Sequence, residues 1–253
     1  MEQNVCLVCG GRAEPYDCCD FSKHCDYEEN PILIVPLSMK PVYYHRCHDC
    51  GFVFAPEICL WSHQQFMDEI YNDEYVKFDP DFVESRPKAN ADFLACKLQP
   101  YRESLTILDY GGGNGQMVAF LRQAGFNAYC YDPFYISRST SMSSHYDFIA
   151  AFEVFEHAAD PKQMIIDLTG FLKQNGVIYF TTLVSDGHIL NNRRLTWWYA
   201  SPRNGHISLY TTKSLRHLGA QCDLELISFS QSNHMFFREL PDWAREIFSI
   251  KRS

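Results

Sequence analysis

The chain has no long apolar run, no secretory signal pattern and no internal repeat. Its longest apolar stretch, residues 32–35, lies between prolines, far short of the roughly 18–20 residues that cross a bilayer. The first residues lack a basic region followed by an apolar core, which a secretory signal would need. These absences predict a cytoplasmic protein with no membrane partner.

An excess of basic residues is also missing. The chain holds 22 Lys and Arg against 31 Asp and Glu, a net charge of −9, whereas nucleic-acid binders usually carry a basic surface stripe. The densest basic group is the pair Arg193 and Arg194. An acidic chain can still carry a local basic patch, so a nucleic-acid partner is disfavoured but stays as an alternative.

What the chain does contain divides it into three zones. Its 253 residues have room for one full α/β domain and a small accessory unit. Residues 1–56 are rich in cysteine, proline and tyrosine, and residues 57–100 have helical character. Residues 101–253 alternate short apolar strands with helices, which indicates an α/β fold with a mostly parallel sheet. Residues 224–230 and 234–238 predict an antiparallel hairpin at the end.

Cysteine is abundant rather than scarce, and it is concentrated near the start. In the reducing cytoplasm this crowding favours metal ligation over disulfides. Two Cys-x2-Cys pairs, Cys6 with Cys9 and Cys47 with Cys50, are each followed by glycine. Two such turns predict a closed tetrahedral site of four thiolates, which zinc prefers and which has a structural role. Residues 1–56 are therefore predicted to be a zinc-binding module.

Two points about this module stay open in the sequence. The long segment between the two pairs is expected to form strands of its own. Further donors within it offer alternative ligands or a second site; they are Cys18, Cys19, His24, Cys25, His45 and His48.

A glycine loop at residues 109–115 marks a ligand site. It lies between a predicted strand, residues 105–109, and a predicted helix, residues 116–123. Such a loop presents backbone N–H groups, and glycine lets a ligand approach the main chain. Asp132 ends the next strand, where a carboxylate can accept hydrogen bonds from ribose hydroxyls. The alternative is a strand–helix turn that needs glycine only for packing.

The spacing of this loop excludes two common nucleotide sites. The dinucleotide pattern G-x-G-x-x-G fails at its last position, which is Gln116 counted from Gly111 and Val118 counted from Gly113. No Gly-Lys-Ser/Thr follows, as a phosphate-binding P-loop requires. The loop therefore suits a nucleoside ligand without a pyrophosphate.

Ordered motifs over residues 105–237 resemble the class I S-adenosylmethionine-dependent methyltransferases. The motifs are the glycine loop, Asp132, residues 146–157 with the Asp160-Pro161 pair, and residues 172–178. The resemblance implies a Rossmann-like, mostly parallel sheet. It also implies that S-adenosylmethionine is the cofactor.

The same resemblance assigns roles to individual residues. It implies that the glycine loop and Asp109 hold the methionine end, Asp132 the ribose, and Phe152 and Glu153 the region near the sulfonium. The cofactor residues implied are Asp109, Gly111, Gly113, Gly115, Asp132, Phe152 and Glu153. Residues 134–145 are too few for the strand that usually follows, so the adenine contacts are left unassigned.

The cysteine pattern is similar to the N-terminal zinc module of sugar C-methyltransferases and related enzymes. Those enzymes are generally longer and carry a further C-terminal domain, so their substrate class transfers weakly. The acceptor implied is a small molecule, either a sugar or another metabolite.

Candidate catalytic residues follow the predicted strands. His206 comes after an aromatic run, residues 197–199, and family members often have histidine there; Glu153 has a site-facing position. Glu156 and His157 are expected to pack beneath the cofactor, although with Glu153 they also resemble a divalent-metal motif of quinone-type O-methyltransferases. Residues 71–75 resemble an aromatic lid, or else belong to a core-packing helix.

The leading prediction is thus an S-adenosylmethionine-dependent methyltransferase acting on a small molecule. One alternative is a non-catalytic S-adenosylmethionine-binding scaffold, and another is a methyltransferase acting on nucleic acid or protein. Nucleic acid is further disfavoured because no Asn-Pro-Pro-Tyr-type motif is present at residues 152–155. The acceptor, the atom that is methylated, the general base and the oligomeric state are not specified.

Overall fold

A computed structural model describes residues 5–25, 35–134 and 145–251, and it divides the chain into two compact units. The first unit consists of Met1–Pro80, Phe155–Met164 and Thr182–Gln221. The second consists of Asp81–Val154, Ile165–Thr181 and Cys222–Ser253. The sequence analysis places domain boundaries after residues 56 and 100. Those boundaries remain predictions, separate from this division into units.

Three strands and then three helices come first, and strands and helices are interspersed from Thr106 onward. The strands are β1 (Ala13–Asp20), β2 (Pro41–Cys47), β3 (Val53–Phe54), β4 (Thr106–Tyr110), β5 (Asn127–Tyr131), β6 (Tyr146–Phe152), β7 (Leu172–Thr181), β8 (Ser208–Leu209), β9 (Glu225–Ser228) and β10 (Asn233–Phe237). The helices are α1 (His63–Glu69), α2 (Tyr75–Phe78), α3 (Ser85–Leu98), α4 (Gln116–Gln123), α5 (Pro161–Phe171), α6 (Thr212–Ala220) and α7 (Asp242–Ile247). Among the described residues, no helix has the length and apolar character needed to cross a membrane.

The first unit contains a four-stranded antiparallel sheet in the order β1-β2-β3-β8. Strands β1 and β2 arise from the segment between the two cysteine pairs, as the sequence predicts. Phe52 stacks on Phe54 with ring centroids 5.5 Å apart, and Tyr210 lies 5.0 Å from Phe52. These fully buried aromatic rings form part of the apolar packing around the short strand β3.

The second unit contains a six-stranded sheet in the order β5-β4-β6-β7-β10-β9. The first four strands are parallel, and β10 runs antiparallel to both β7 and β9. This arrangement confirms the predicted mostly parallel sheet with a C-terminal antiparallel hairpin. Its central strands β4 and β6 have runs of buried residues because both faces of a parallel sheet are covered.

Pairing in this sheet sets the position of the site residues. Asp109 on β4 pairs with Cys130 on β5 and with Ala150 on β6. The carboxyl ends of these three strands therefore lie along one edge. Ligands of open α/β sheets bind at this edge, and the glycine loop, Asp132 and Glu153 all follow directly from it.

Two predicted boundaries are wrong by a few residues. The sequence predicts a helix from Pro161 to Lys173 and a strand from Val177 to Thr181. The helix instead ends at Phe171, and the strand begins at Leu172. The reason is Gly176, where an added Cβ would lie 2.8 Å from the Tyr146 carbonyl oxygen. Glycine thus lets β7 continue closely against β6, at the irregularity in their pairing.

The sequence predicts a helix from Lys213 to Leu218 that is capped by Thr211 or Thr212, and helix α6 confirms it. Thr211 is its N-cap, and its hydroxyl accepts a hydrogen bond from the Ser214 N–H. The Ser214 hydroxyl in turn accepts a hydrogen bond from the Thr211 N–H, which completes a capping box. The predicted short connection at residues 134–145, and with it the question of the adenine contacts, falls mostly on residues 135–144, which lie outside the described residues.

Candidate cofactor site and metal centres

The glycine loop follows β4 without a break and leads into α4. Gly111, Gly113 and Gly115 all have positive φ values, 76°, 52° and 76°. Residues with a Cβ rarely adopt this backbone conformation. The Gly111 N–H donates to the Tyr131 carbonyl at the end of β5, over 2.7 Å. The loop is thereby fixed to the sheet edge through its own backbone.

Two glycines of the loop are also needed for space. A Cβ on Gly111 would lie 2.6 Å from Val154 Cγ2, and one on Gly112 would lie 2.3 Å from Asp109 Oδ2. The sequence analysis does not single out Gly112. Its backbone is not in the positive-φ region, and glycine is needed there only because other atoms lie close to it. The run of three successive glycines is the sequence signal for it.

Asp132 is held rigidly by the loop. It is only 6% exposed, and its Oδ2 accepts a hydrogen bond from the Gly113 N–H over 2.8 Å. Its Oδ1 accepts from the Phe134 N–H over 2.7 Å. Each carboxylate oxygen has a second lone pair, so the bonds orient Asp132 and leave it capacity to accept ligand hydroxyls.

Asp109 gives this region its electrostatic character. Its carboxyl group is buried, and burial together with the charge of Asp132 raises its pKa to about 8. A buried carboxyl group beside a second carboxylate favours a positively charged ligand, whose charge would lower the pKa of Asp109 again.

Glu153 adopts a strained backbone at the end of β6. Its φ is +52°, which costs a non-glycine residue about 1–2 kcal/mol. Thr181 at the end of β7 compensates on both sides: its Oγ1 accepts from the Glu153 N–H over 3.0 Å and donates to Glu153 Oε1 over 2.7 Å. Local strain of this kind often accompanies functional sites. Thr181 is a supporting residue that sequence reasoning missed.

Four cysteines converge in the first unit. Among the described residues Cys6, Cys9, Cys47 and Cys50 form a group that can hold one metal ion; we call it the four-cysteine centre. The sulfurs of Cys6 and Cys50 lie 3.6 Å apart, and those of Cys9 and Cys47 lie 3.5 Å apart. A tetrahedral zinc site with Zn–S bonds of about 2.3 Å has sulfurs about 3.8 Å apart, so the donor set fits zinc.

The backbone explains why both pairs have the same shape. Gly10 and Gly51, which follow the pairs, each have a φ of +75°, and each N–H donates to the carbonyl of the first cysteine in its pair. The hydrogen bond with Cys50 lowers the pKa of Cys6 to about 5, and burial raises the pKa of Cys9 to about 11. A divalent cation would stabilise all four as thiolates.

The additional donors of the N-terminal module have other contacts. His48 Nε2 lies 2.8 Å from Glu14 Oε2, His45 packs against Phe54, and Cys25 Sγ lies 3.7 Å from His206 Nδ1. Within the described residues, no group able to hold a metal combines any of these donors with the four-cysteine centre.

His206 lies in a second group of potential metal ligands. Glu156, His157 and His206 each offer a ligand atom, and these atoms lie within 4.8 Å of one another. His206 is 6% exposed and Glu156 fully buried. The sequence predicts a packing role for Glu156 and His157 but does not predict their proximity to His206.

The helical segment before the glycine loop also contacts this group. Tyr71 Oη lies 3.2 Å from His157 Nδ1, and its ring lies 5.3 Å from that of Tyr75, which is buried. These contacts show aromatic packing within the first unit. The role of a lid stays a prediction.

With this geometry in view, the family can be identified. Residues 75–228 match the methyltransferase domain family. The chain belongs to this family. No curated protein matches it by sequence.

Solved methyltransferases resemble the chain at low sequence identity. The plantazolicin methyltransferase in complex with SAH is 16% identical, with 69% of this chain and 92% of that chain covered and a TM-score of 0.44. Magnesium protoporphyrin IX methyltransferase from Synechocystis PCC 6803 with bound SAH is 14% identical, with 69% and 95% covered and a TM-score of 0.41. The similarity to zinc-containing sugar C-methyltransferases stays a prediction.

Proposed function

We propose that this methyltransferase binds S-adenosylmethionine at the glycine loop and transfers its methyl group to a small molecule. The observation that carries the proposal is the hydrogen bond from the Gly113 N–H to Asp132, at a glycine whose Cβ would meet nothing within 4 Å. A loop that needed glycine only for packing would not leave this space open and also orient a carboxylate at the ligand-binding edge of the sheet.

The charges of the region fit this cofactor. S-adenosylmethionine carries a sulfonium and an ammonium group, and the second unit presents the buried Asp109 and the loop-held Asp132. We assign Asp109 with Gly111, Gly113 and Gly115 to the methionine end and Asp132 to the ribose. Phe152, which packs edge-on against Tyr179 with centroids 6.0 Å apart, is assigned with Glu153 to the reacting end.

His206 and Glu153 are the proposed catalytic residues. Methyl transfer is an in-line attack on the sulfonium carbon, so orientation of the acceptor matters most. His206 Nδ1 lies 2.9 Å from the Tyr199 carbonyl, which can only accept, so the proton is on Nδ1 and the lone pair on Nε2. In the second unit, the hydroxyl of Thr181 donates to the carboxylate of Glu153, which is assigned to the reacting end.

The four-cysteine centre is assigned a structural zinc ion. Its four donors are all cysteine sulfurs, two of them on each glycine-terminated turn. Four thiolates close a tetrahedral zinc site and leave no position for water or substrate. Zinc there supports the fold of the first unit and takes no part in methyl transfer.

The acceptor is proposed to be a sugar or another small metabolite. The N-terminal cysteine pattern supports that class, and the net charge of −9 disfavours a nucleic-acid substrate. A cytoplasmic location is proposed as well, because thiols stay reduced there and can ligate the zinc ion.

Calorimetric titration with S-adenosylmethionine and S-adenosylhomocysteine tests the proposal. We expect saturable binding to the native protein and a loss of at least tenfold in affinity for Asp132→Ala, because Asp132 orients the ribose. Asp92→Ala is the matched control, since Asp92 is exposed and pairs with Lys88 on α3. Absence of binding to the folded native protein would overturn the proposal; binding without methyl transfer to any acceptor panel would favour the scaffold alternative.

A further inference from the structure

We propose that Glu156, His157 and His206 bind one divalent transition-metal ion, at a site separate from the four-cysteine centre. Two imidazoles and one carboxylate with ligand atoms within 4.8 Å of one another form a donor set suited to such ions. Magnesium and calcium prefer sets made of oxygen alone. The proposal concerns the first unit and does not need the cofactor to be bound.

Local structure brings the three residues together from distant parts of the sequence. Glu156 and His157 are neighbours on the single turn Phe155–His157, and His206 follows the turn Pro202–Asn204. The Ile207 N–H donates to the Glu156 carbonyl over 2.9 Å, which joins the two segments directly beside the cluster.

Gly205 makes the close approach feasible. Its φ is +88°, and an added Cβ would lie 2.8 Å from His157 Nδ1 and 3.2 Å from Tyr71 Oη. A side chain at this position would therefore push His157 away from His206. The absence of a side chain keeps both imidazoles in one small volume.

The hydrogen bonds around the cluster fix its donors as a metal site requires. The Tyr199 carbonyl fixes the proton of His206 on Nδ1 and the lone pair on Nε2. Tyr71 Oη lies 3.2 Å from Nδ1 of His157, and the Tyr199 hydroxyl donates to Glu156 Oε1. Ligating histidines in proteins usually bond through the other ring nitrogen to a carbonyl or similar group, and ligating carboxylates are hydrogen-bonded in turn.

The ring geometry fits two imidazoles that share an ion. The centroids of His157 and His206 lie 5.0 Å apart, with ring planes at 77°. Two imidazoles bound tetrahedrally through Zn–N bonds of about 2.0–2.1 Å have centroids about 5 Å apart. No large rearrangement of the two rings is therefore needed to accept an ion.

Three protein ligands leave a tetrahedral ion with one open position, unlike the closed four-cysteine centre. An oxygen ligand, such as water or a hydroxyl or carboxylate of the acceptor, would complete it. In that case His206 would be a ligand of the ion and not a general base. This use of the ion rests on the proposed function; the binding of the ion does not.

Cobalt titration of protein whose four-cysteine centre is filled with zinc tests the site. Cobalt bound by nitrogen and oxygen gives weak visible bands, whereas cobalt bound by thiolates adds intense charge-transfer bands. We expect one added equivalent of cobalt with only the weak bands, and a loss of at least tenfold in affinity for His206→Ala and for His157→Gln. His217→Ala is the matched control, because His217 is exposed on α6.

Two results would overturn the metal site. One is folded native protein that takes up no cobalt beyond the four-cysteine centre, and the other is cobalt binding that His206→Ala and His157→Gln leave unchanged. His157 is only half-buried, so His157→Gln gives the answer if His206→Ala fails to fold, as circular dichroism would show. If the cobalt titration fails but S-adenosylmethionine still binds, the metal site is overturned and the proposed function is not. If cobalt binds as expected but S-adenosylmethionine does not, the proposed function is overturned and the metal site is not.

Discussion

The four-cysteine centre and the glycine loop are built in opposite ways. The four-cysteine centre depends on four side chains that two distant turns bring within 3.5–3.6 Å of a partner sulfur. The glycine loop depends on side chains that are absent, at Gly111 and Gly112. The four-cysteine centre should therefore lose its metal ion when one sulfur is removed, whereas the glycine loop should be disrupted when one carbon atom is added.

The largest effect is expected from removing a donor. Cys47→Ser should abolish metal binding at the four-cysteine centre and the cooperative unfolding of the first unit, because structural zinc binding contributes roughly 10–16 kcal/mol of apparent free energy in small zinc domains. Zinc content and calorimetric unfolding measure both effects. Cys96→Ser is the control, since Cys96 is exposed on α3 and distant in sequence from the pairs. Native zinc content in Cys47→Ser would contradict the assignment.

Adding an atom to the glycine loop should have the next largest effect. Gly112→Ala places a Cβ 2.3 Å from Asp109 Oδ2 and 2.8 Å from Cys130 Sγ, so we expect a loss of about 1–3 kcal/mol in stability and at least a tenfold loss in S-adenosylmethionine affinity. Gly113→Asn is the matched comparison, because nothing lies within 4 Å of its Cβ and asparagine tolerates positive φ. Chemical denaturation would compare the two variants, and an equal loss of stability would contradict the steric argument. Cofactor affinity does not separate them, because Gly113 is itself assigned to the methionine end.

Asp109 should make stability depend on pH. Its pKa is about 8 in the folded protein and near 4 when unfolded, so the unfolded chain loses its proton first. Stability should therefore fall as pH rises from about 4 to about 8. Asp109→Asn should flatten this decline and gain more than about 1 kcal/mol at pH 8, while weakening cofactor binding. Urea unfolding across this pH range is the measurement, and an unchanged slope in the variant would refute it.

The smallest effect is expected at Glu153. Glu153→Ala keeps the strain at φ +52° and loses the bond to Thr181, whereas Glu153→Gly loses the bond and relieves the strain. We expect the glycine variant to be more stable than the alanine variant by about 1 kcal/mol, with methyl transfer lowered in both. Denaturant unfolding and turnover assays separate the two; an alanine variant of equal stability would exclude the strain.

The sequence predicts the local parts of both regions well. Cys-x2-Cys-Gly pairs and a glycine loop between a strand and a helix are short patterns, and their physics acts within a few residues. Asp132 is also predictable, because it directly follows the strand that comes after the loop and its helix. The parallel sheet follows from the alternation of apolar strands with helices.

Other parts depend on contacts that no local pattern encodes. The proximity of His157 to His206 arises from two turns and the backbone bond between Ile207 and Glu156. The need for glycine at 112 arises from the packing of Asp109 and Cys130. Strand β7 begins at Leu172 because Gly176 permits a close backbone approach. Each of these required knowing which residues are neighbours in space.

The reciprocal bonds between Glu153 and Thr181 have a consequence for natural variation. The hydroxyl of Thr181 both accepts from the backbone and donates to the side chain of Glu153. Serine can replace it, while valine, of nearly the same shape, can do neither. Homologous chains should therefore keep threonine or serine at this position wherever the residue aligned with Glu153 is not glycine, and the two positions should drift together.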